Sequence, residues 1–213
     1  MAISKVQNAV YKSEADASVT VSFPNTPTEG NLMIALGKSG TNSYTNGSIT
    51  GWALATGTRT GTTAYMGIWY KVAGAAESKD VTLDWTDSTN TLIAIEEWAG
   101  LTSTPLDQIA NVDNTGPVTS KSSGTTPTTT VADELCVAGF AMGGVVTNQS
   151  WSNSFTEELD QDSFFLGSKI VSATGTQETT LSWTTARVCG GLIATFKGAS
   201  AAATWIPKVI MVM

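Results

Sequence analysis

Carboxylates are the side chains of this sequence best suited to chemistry. Glu96 and Glu97 form an adjacent acid pair inside a predicted strand at 92–98. Neighbouring residues of a strand point to opposite faces of its sheet. A glycosidase needs two carboxylates that face one sugar, about 5 to 10 Å apart. The pair therefore does not predict a glycosidase site.

A second group of carboxylates lies in a stretch with loop character, at Glu157, Glu158, Asp160 and Asp162. Calcium prefers several oxygen ligands, which such side chains supply. The spacing matches no calcium loop and Leu159 interrupts it, so we favour a solvated loop over an ion site. We predict no bound metal and no cofactor.

The composition argues against most enzyme classes. The chain has 213 residues, no histidine and a formal net charge of -7. Without histidine there is no Ser-His-Asp triad, no histidine-bound metal and no histidine general base. The acidic balance argues against a nucleic-acid surface, which needs clustered Lys and Arg. With 34 Thr and 21 Ser, hydroxyls supply much of the polarity, and we expect a protein that is not an enzyme and binds no nucleic acid.

Membrane and disulfide signals are weak as well. No run of about 18 apolar residues predicts a transmembrane helix, and residues 1–16 lack the apolar region of a secretory signal. We therefore expect no membrane partner. Cys136 and Cys189 are too few for a disulfide framework. Their apolar surroundings favour buried free thiols, although a bridge stays open if their strands are neighbours.

The elements around these residues are short segments rich in Thr, Val and aromatic side chains and bounded by turn residues, which predicts strands. Four segments recur in order at offsets of 98 to 100 residues. TLDW at 82–85 returns as TLSW at 180–183, and LIA at 92–94 returns at 192–194. The sequence therefore predicts an all-β fold, an antiparallel double-sheet sandwich built from two repeated half-motifs.

Two arrangements of the halves fit this repeat. Either each half forms its own small sandwich, or the two interleave in one larger double sheet, which we favour. The predicted boundaries are a sandwich at 16–198, with halves at about 16–100 and 120–198. An N-terminal arm at 1–15 and an apolar C-terminal arm at 199–213 flank it.

The repeat also sorts the seven tryptophans. Trp85 and Trp183 are equivalent and in phase with apolar neighbours, which predicts core positions. Trp52 and Trp151 are paired 99 residues apart, which favours a structural role. Three others have no Trp counterpart and are the candidates for binding a sugar or a partner: Trp69, Trp98 and Trp205.

Apolar residues at both ends of the chain predict contact with a partner protein. The candidate partner-binding residues are Ile3, Val6, Val10, Tyr11, Trp205, Ile206, Val209, Ile210 and Met211. The C-terminal set has two interpretations. It forms a last edge strand on its own sheet, or it docks onto a neighbouring subunit by strand addition.

Several segments together resemble a known group of proteins. They are 29–34 (EGNLMI), 69–77 (WYKVAGAAE), 95–101 (IEEWAGL), 105–107 (PLD) and 126–135 (TPTTTVADEL). In this order they resemble the jelly-roll β-sandwich proteins often encoded among the structural genes of tailed bacteriophages. The resemblance covers roughly residues 16–198, and no catalytic residue comes with it.

This resemblance implies a virion structural protein, most concretely a head decoration (cement) protein on the capsid surface. Its expected partners are the major capsid protein and itself, as a homotrimer, with assembly in the host cytoplasm. An alternative is a tail or adsorption protein, or another carbohydrate-binding module, with glycans as partners. An enzyme built on a jelly roll would need a site without histidine, and no convergent set of residues suggests one.

Overall fold

The computed structural model describes residues 2–40, 47–60, 64–86, 90–113, 116–161 and 163–199, except the side chains of residues 9 and 10. Within these ranges the chain forms fifteen strands. Their pairings are antiparallel, which confirms the predicted all-β sandwich. The same part of the chain holds no helix long and apolar enough to cross a membrane.

The first eight strands form the first repeat, in two sheets. Five strands pair in the order β1-β8-β3-β6-β5, and three pair as β2-β7-β4. Successive strands alternate between the two sheets, except that β5 and β6 are neighbours in the larger one. Apart from the position of β5, this is a jelly-roll order. The strands are β1 (Ser4–Glu14), β2 (Ser18–Ser22), β3 (Leu32–Ser39), β4 (Ser48–Ile49), β5 (Ala53–Arg59), β6 (Tyr65–Val72), β7 (Asp80–Asp84) and β8 (Thr91–Ala99).

The remaining strands form the second repeat with the same order. The end of β15 pairs with β9 and β11, and β14 and β13 follow β11 in the sheet. The start of β15 pairs with β10 and β12, so this one strand takes the places of both β7 and β8. The strands are β9 (Leu101–Val112), β10 (Pro117–Ser122), β11 (Asp133–Met142), β12 (Ser150–Trp151), β13 (Thr156–Gln161), β14 (Phe164–Ser172) and β15 (Thr180–Gly198).

The two five-stranded sheets pack face to face and create an inter-repeat core. Leu32 and Leu36 of β3 meet Leu135 and Phe196 of the second repeat there. Alternate residues of the same strands point the other way, as Met33 does, into an outer core beneath each small sheet. The order of layers is therefore small sheet, large sheet, large sheet, small sheet. Because the central strands of the large sheets, such as β3, β8 and β11, are covered on both faces, they are buried along nearly their whole length.

The strands of the two repeats do not interleave, in contrast to the arrangement that we favoured. Within the described residues, no sheet contains strands of both repeats, so each half has its own sandwich. The first repeat ends with β8 at Ala99 and the second begins with β9 at Leu101, on either side of Gly100. Gly100 has a φ of +83°, which glycine adopts without strain.

Each repeat also begins with a strand that the sequence analysis did not predict. Residues 4–14, which we expected to form an arm, are the edge strand β1 and pair with β8. Strand β9 holds the same position beside β15 in the second repeat. Residues 200–213, which include most of the predicted C-terminal arm, lie outside the described residues.

Candidate functional site

A concave site lies on the outer side of the first repeat, which we call the first cleft. It has a volume of about 320 Å³. Strand β6, the turn between β4 and β5, and the chain leading into β7 supply its walls. The lining residues are Ile49, Thr50, Trp52, Lys71, Glu77, Ser78, Asp80, Val81 and Thr82.

An ion pair holds one wall of the first cleft. Lys71 Nζ donates to Glu77 Oε1 at 2.7 Å. The other oxygen of Glu77 accepts from the backbone N–H of Gly74 at 3.0 Å. Burial alone would raise the pKa of Glu77, but these hydrogen bonds and the Lys71 charge outweigh it and lower that pKa. Glu77 is therefore ionised at neutral pH and fixes the loop around it.

Hydroxyl groups of the neighbouring strand β2 hold the other wall. Ser22 Oγ donates to Asp80 Oδ1 at 2.5 Å. The hydroxyls of Thr20 and Thr82 share a hydrogen bond of 2.8 Å. Both pairs follow from the register that places β2 directly opposite β7. The polar groups of the cleft are thus positioned by the fold before any ligand arrives.

Trp52 is the aromatic residue of the first cleft. It is half-buried against the first outer core, and its indole N–H has no acceptor among the described residues. The other half-buried tryptophan, Trp151, donates its indole N–H to Glu157 at 3.0 Å. Among the described tryptophans, Trp52 alone is both partly exposed and without a hydrogen bond from its indole.

The second repeat has a cleft in the corresponding place, of about 380 Å³. Lys169 of β14 lies opposite Cys136 as Lys71 of β6 lies opposite Met33, so the two lysines are equivalent. This second cleft contains no tryptophan among its described residues. Its lining residues are Thr125, Asn153, Ser154, Lys169, Thr176, Gln177 and Glu178.

The equivalence of Trp52 and Trp151 predicted from the sequence is wrong. Trp151 pairs with Leu181, as Ile49 pairs with Leu83, so Ile49 is the counterpart of Trp151. Sequence reasoning therefore treated Trp52 as structural and missed its place in the cleft. Strand β4 is only two residues long and carries too little pattern to reveal this pairing from the sequence.

Two of the three tryptophans proposed for ligand binding are buried. Trp69 is 2% exposed and Trp98 is 4% exposed, and Trp205 lies outside the described residues. The prediction that Trp69 and Trp98 are candidate binding residues is therefore wrong. Trp85 and Trp183 are buried in the outer cores, which confirms their predicted positions.

The candidate partner-binding residues at the chain start are spread along β1. Ile3 and Tyr11 are half-buried against the inter-repeat core, and the Tyr11 ring lies 6.1 Å from that of Phe164. Val6 is 46% exposed, and Val10 has its backbone in β1 but its side chain outside the described set. The structure therefore leaves Val6 on the surface. The remaining candidates, Trp205, Ile206, Val209, Ile210 and Met211, lie outside the described residues.

Glu96 and Glu97 point to opposite faces, as the sequence predicts. Glu97 accepts hydrogen bonds from the backbone N–H of Thr28 at 2.8 Å and from Asn31 Nδ2 at 2.6 Å. Glu96 lies on the other face, where its Oε2 is 3.6 Å from Lys5 Nζ. Burial is the main cause that raises the pKa of Glu96 to about 7. The two carboxylates therefore share no site.

Lys5 lies between Glu96 of the first repeat and Glu158 of the second. It forms an ion pair with Glu158 of β13, which also accepts from Ser168. The acidic stretch that we predicted to be a solvated loop is thus strand β13, with Glu158 engaged in the interface between repeats. Among the described residues, no three His, Cys, Asp or Glu side chains are placed to hold a metal ion. Asp162 lies outside the described residues.

The two cysteines are free and buried, which confirms the prediction of buried thiols. Burial is the main cause that raises the pKa of both Cys136 and Cys189 to about 12. A thiol attacks as its thiolate, so neither residue is set up as a nucleophile.

Known proteins supply no further guide to the site. No family model, curated protein or solved structure matches the chain. Its function has to follow from its own residues, and the first cleft and the paired jelly rolls are the features that bear on it.

Proposed function

We propose that the chain is a structural protein of a bacteriophage particle, a decoration protein that binds the outside of the head and stabilises it. The observation that carries the proposal is the duplicated jelly roll joined through a continuous apolar core. It adds to the resemblance of the sequence to phage structural proteins. The partner is then the major capsid protein, with copies of the chain arranged as homotrimers.

Rigidity supports this role. The inter-repeat core includes large, fully buried side chains such as Leu36 and Phe196, and close-packed interiors transmit strain with little compression. A body that bridges coat subunits must resist their movement. Two jelly rolls packed along their large sheets resist such movement better than two domains on a flexible linker would.

The edges of the large sheets supply surfaces for a partner. In the first repeat β1 and β5 are the outer strands. Strand β5 lies against β9 and β15 of the second repeat, whereas Val6 is exposed on β1. An unpaired strand edge can accept a strand of another protein. Many such contacts over one shell give avidity even when each is weak. The net charge of -7 is tolerable outside the shell and unfavourable against packaged DNA.

The experiment measures the thermal stability of phage heads that lack the protein, from the phage that encodes it. Added protein should raise the melting temperature, because a ligand at 100 times its Kd stabilises its target by about 2.7 kcal/mol. A variant without residues 204–213 should stabilise the heads less. No shift at saturating protein would count decisively against the decoration role.

Circular dichroism of the truncated variant separates the two interpretations of the C-terminal residues. A folded variant with weaker head binding supports docking onto a partner. An unfolded variant would mean that the segment is part of the protein's own core, and the docking interpretation would fail.

A further inference from the structure

We propose that the first cleft binds one neutral sugar ring, such as the terminal residue of a glycan. The proposal goes beyond the decoration role and does not depend on it. It begins from Trp52, a half-buried tryptophan whose indole N–H has no acceptor among the described residues. An aromatic surface inside a concave polar site suits a ligand with both apolar and polar faces.

A sugar ring has both an apolar face and polar groups. Its C–H groups form an apolar face that packs on an aromatic ring, and its hydroxyls donate and accept around the edge. Tryptophan offers a large apolar surface and one N–H donor. Around Trp52, the cleft adds the Lys71 ammonium, the Glu77 and Asp80 carboxylates and the hydroxyls of Thr50 and Thr82. These groups can both donate to and accept from hydroxyls.

The polar groups are held in place before binding. Glu77 is fixed by Lys71 and by the Gly74 N–H, and Asp80 is fixed by Ser22. Side chains that are already ordered lose less entropy when a ligand arrives. This matters for a sugar, because each of its hydrogen bonds to the protein only replaces one with water.

The charge and the volume of the cleft restrict the class of ligand further. One ammonium and two carboxylates leave the cleft with a net negative charge, which disfavours sugar acids and phosphates. Its volume of about 320 Å³ lies at the small end of ligand pockets, which span about 300 to 1,000 Å³. A single neutral ring fits both limits.

The second cleft provides a comparison within the same molecule. It has the equivalent lysine, Lys169, together with the acid Glu178 and several hydroxyls, but no tryptophan among its described residues. Glu178 there accepts from Ser122 at 2.9 Å and also from Thr125. If polar groups sufficed, both clefts would bind sugars. We expect binding at the first cleft alone.

The experiment titrates the full chain with glucose, galactose, mannose and N-acetylglucosamine while NMR follows the indole N–H signals. At least one sugar should shift the Trp52 signal in a saturable way. Trp52→Ala should weaken binding about tenfold, the factor expected from losing one aromatic contact. Trp52→Phe should retain part of the affinity, because it keeps an aromatic face.

Lys71→Ala and Lys169→Ala form the matched control pair. We expect Lys71→Ala to weaken binding and Lys169→Ala to leave it unchanged, with both variants folded by circular dichroism. The proposal is overturned if none of the four sugars shifts the Trp52 signal. It is equally overturned if Trp52→Ala binds as the unchanged protein does, or if Lys169→Ala abolishes binding.

Discussion

Two buried glutamates stand out at the scale of single residues. Neither oxygen of Glu96 or of Glu134 has a hydrogen bond of good geometry among the described residues. Burial is the main cause that raises the pKa of each to about 7. Glu134 also lies near Asp107, whose negative charge adds to the rise, while Lys5 opposes it at Glu96.

These pKa values predict that the protein loses stability as pH rises. The folded state holds protons on both glutamates up to about pH 7, whereas the unfolded chain releases them near pH 4.3. Between these values the folded state binds more protons, so the free energy of unfolding falls with increasing pH. For Glu96 we expect a loss on the order of 2 kcal/mol between about pH 5 and pH 8, measured by urea unfolding.

Glu96→Gln tests the assignment, because glutamine carries no proton to release. The slope of stability against pH should become shallower in Glu96→Gln and stay unchanged in Glu29→Gln, a variant of an exposed glutamate. A stability that increases over this pH range, or equal slopes in both variants, would contradict the assignment of this pH dependence to Glu96.

The sequence predicts that Glu96 and Glu97 face opposite ways, because strand geometry is local. It does not reveal Lys5 or Glu158, because these arrive from distant strands.

At the scale of elements, Gly100 joins the repeats under two constraints. Its φ of +83° suits glycine, and a Cβ there would overlap the carbonyl oxygen of Ala2. Gly30 has a similar φ of +84° but open space around it. Comparing the two positions therefore separates the free-energy cost of a positive φ from the free-energy cost of steric overlap.

Gly100→Ala should destabilise the protein more than Gly30→Ala does. A positive φ costs alanine about 1 kcal/mol, and overlap with backbone typically adds about 1 to 3 kcal/mol. Chemical unfolding of both variants measures the difference. Equal losses would mean that the chain around Ala2 moves aside without cost.

The strands that can be predicted from the sequence differ in burial from those that cannot. Strands such as β3 and β8 are buried on both faces, so their apolar runs and their repeat are visible in the sequence. Strand β1 lies at a sheet edge and is largely polar, so its pattern is typical of an arm. Without β1 and β9 each half lacks one edge strand, and interleaving is then one way to complete the sheets.

At the scale of the whole molecule, the inter-repeat core makes the two jelly rolls one folding unit. The Leu36 side chain packs so closely on Gly139 of the second repeat that a Cβ at Gly139 would overlap it. Separating the repeats would expose this core to water, at about 25 cal/mol per Å² of apolar surface. Neither repeat can open there without a large loss of stability.

Calorimetry should therefore record one unfolding transition, with calorimetric and van't Hoff enthalpies in agreement. Leu36→Ala should lower stability by about 2 to 5 kcal/mol and shift that single transition as a whole. Val145→Ala, at a residue that is 56% exposed, should have little effect. Two resolved transitions in the unchanged protein would show that the repeats fold independently.

The meeting of three parts of the chain at one end of the molecule has a consequence for its connectivity. Ala199 donates its N–H to the carbonyl of Gly100 at 2.8 Å, and Gly100 lies against Ala2. Joining 199 to 2 and cutting beside Gly100 would give a circular permutant that retains every strand pairing found among the described residues. We therefore expect the two jelly rolls to fold in either order along the chain.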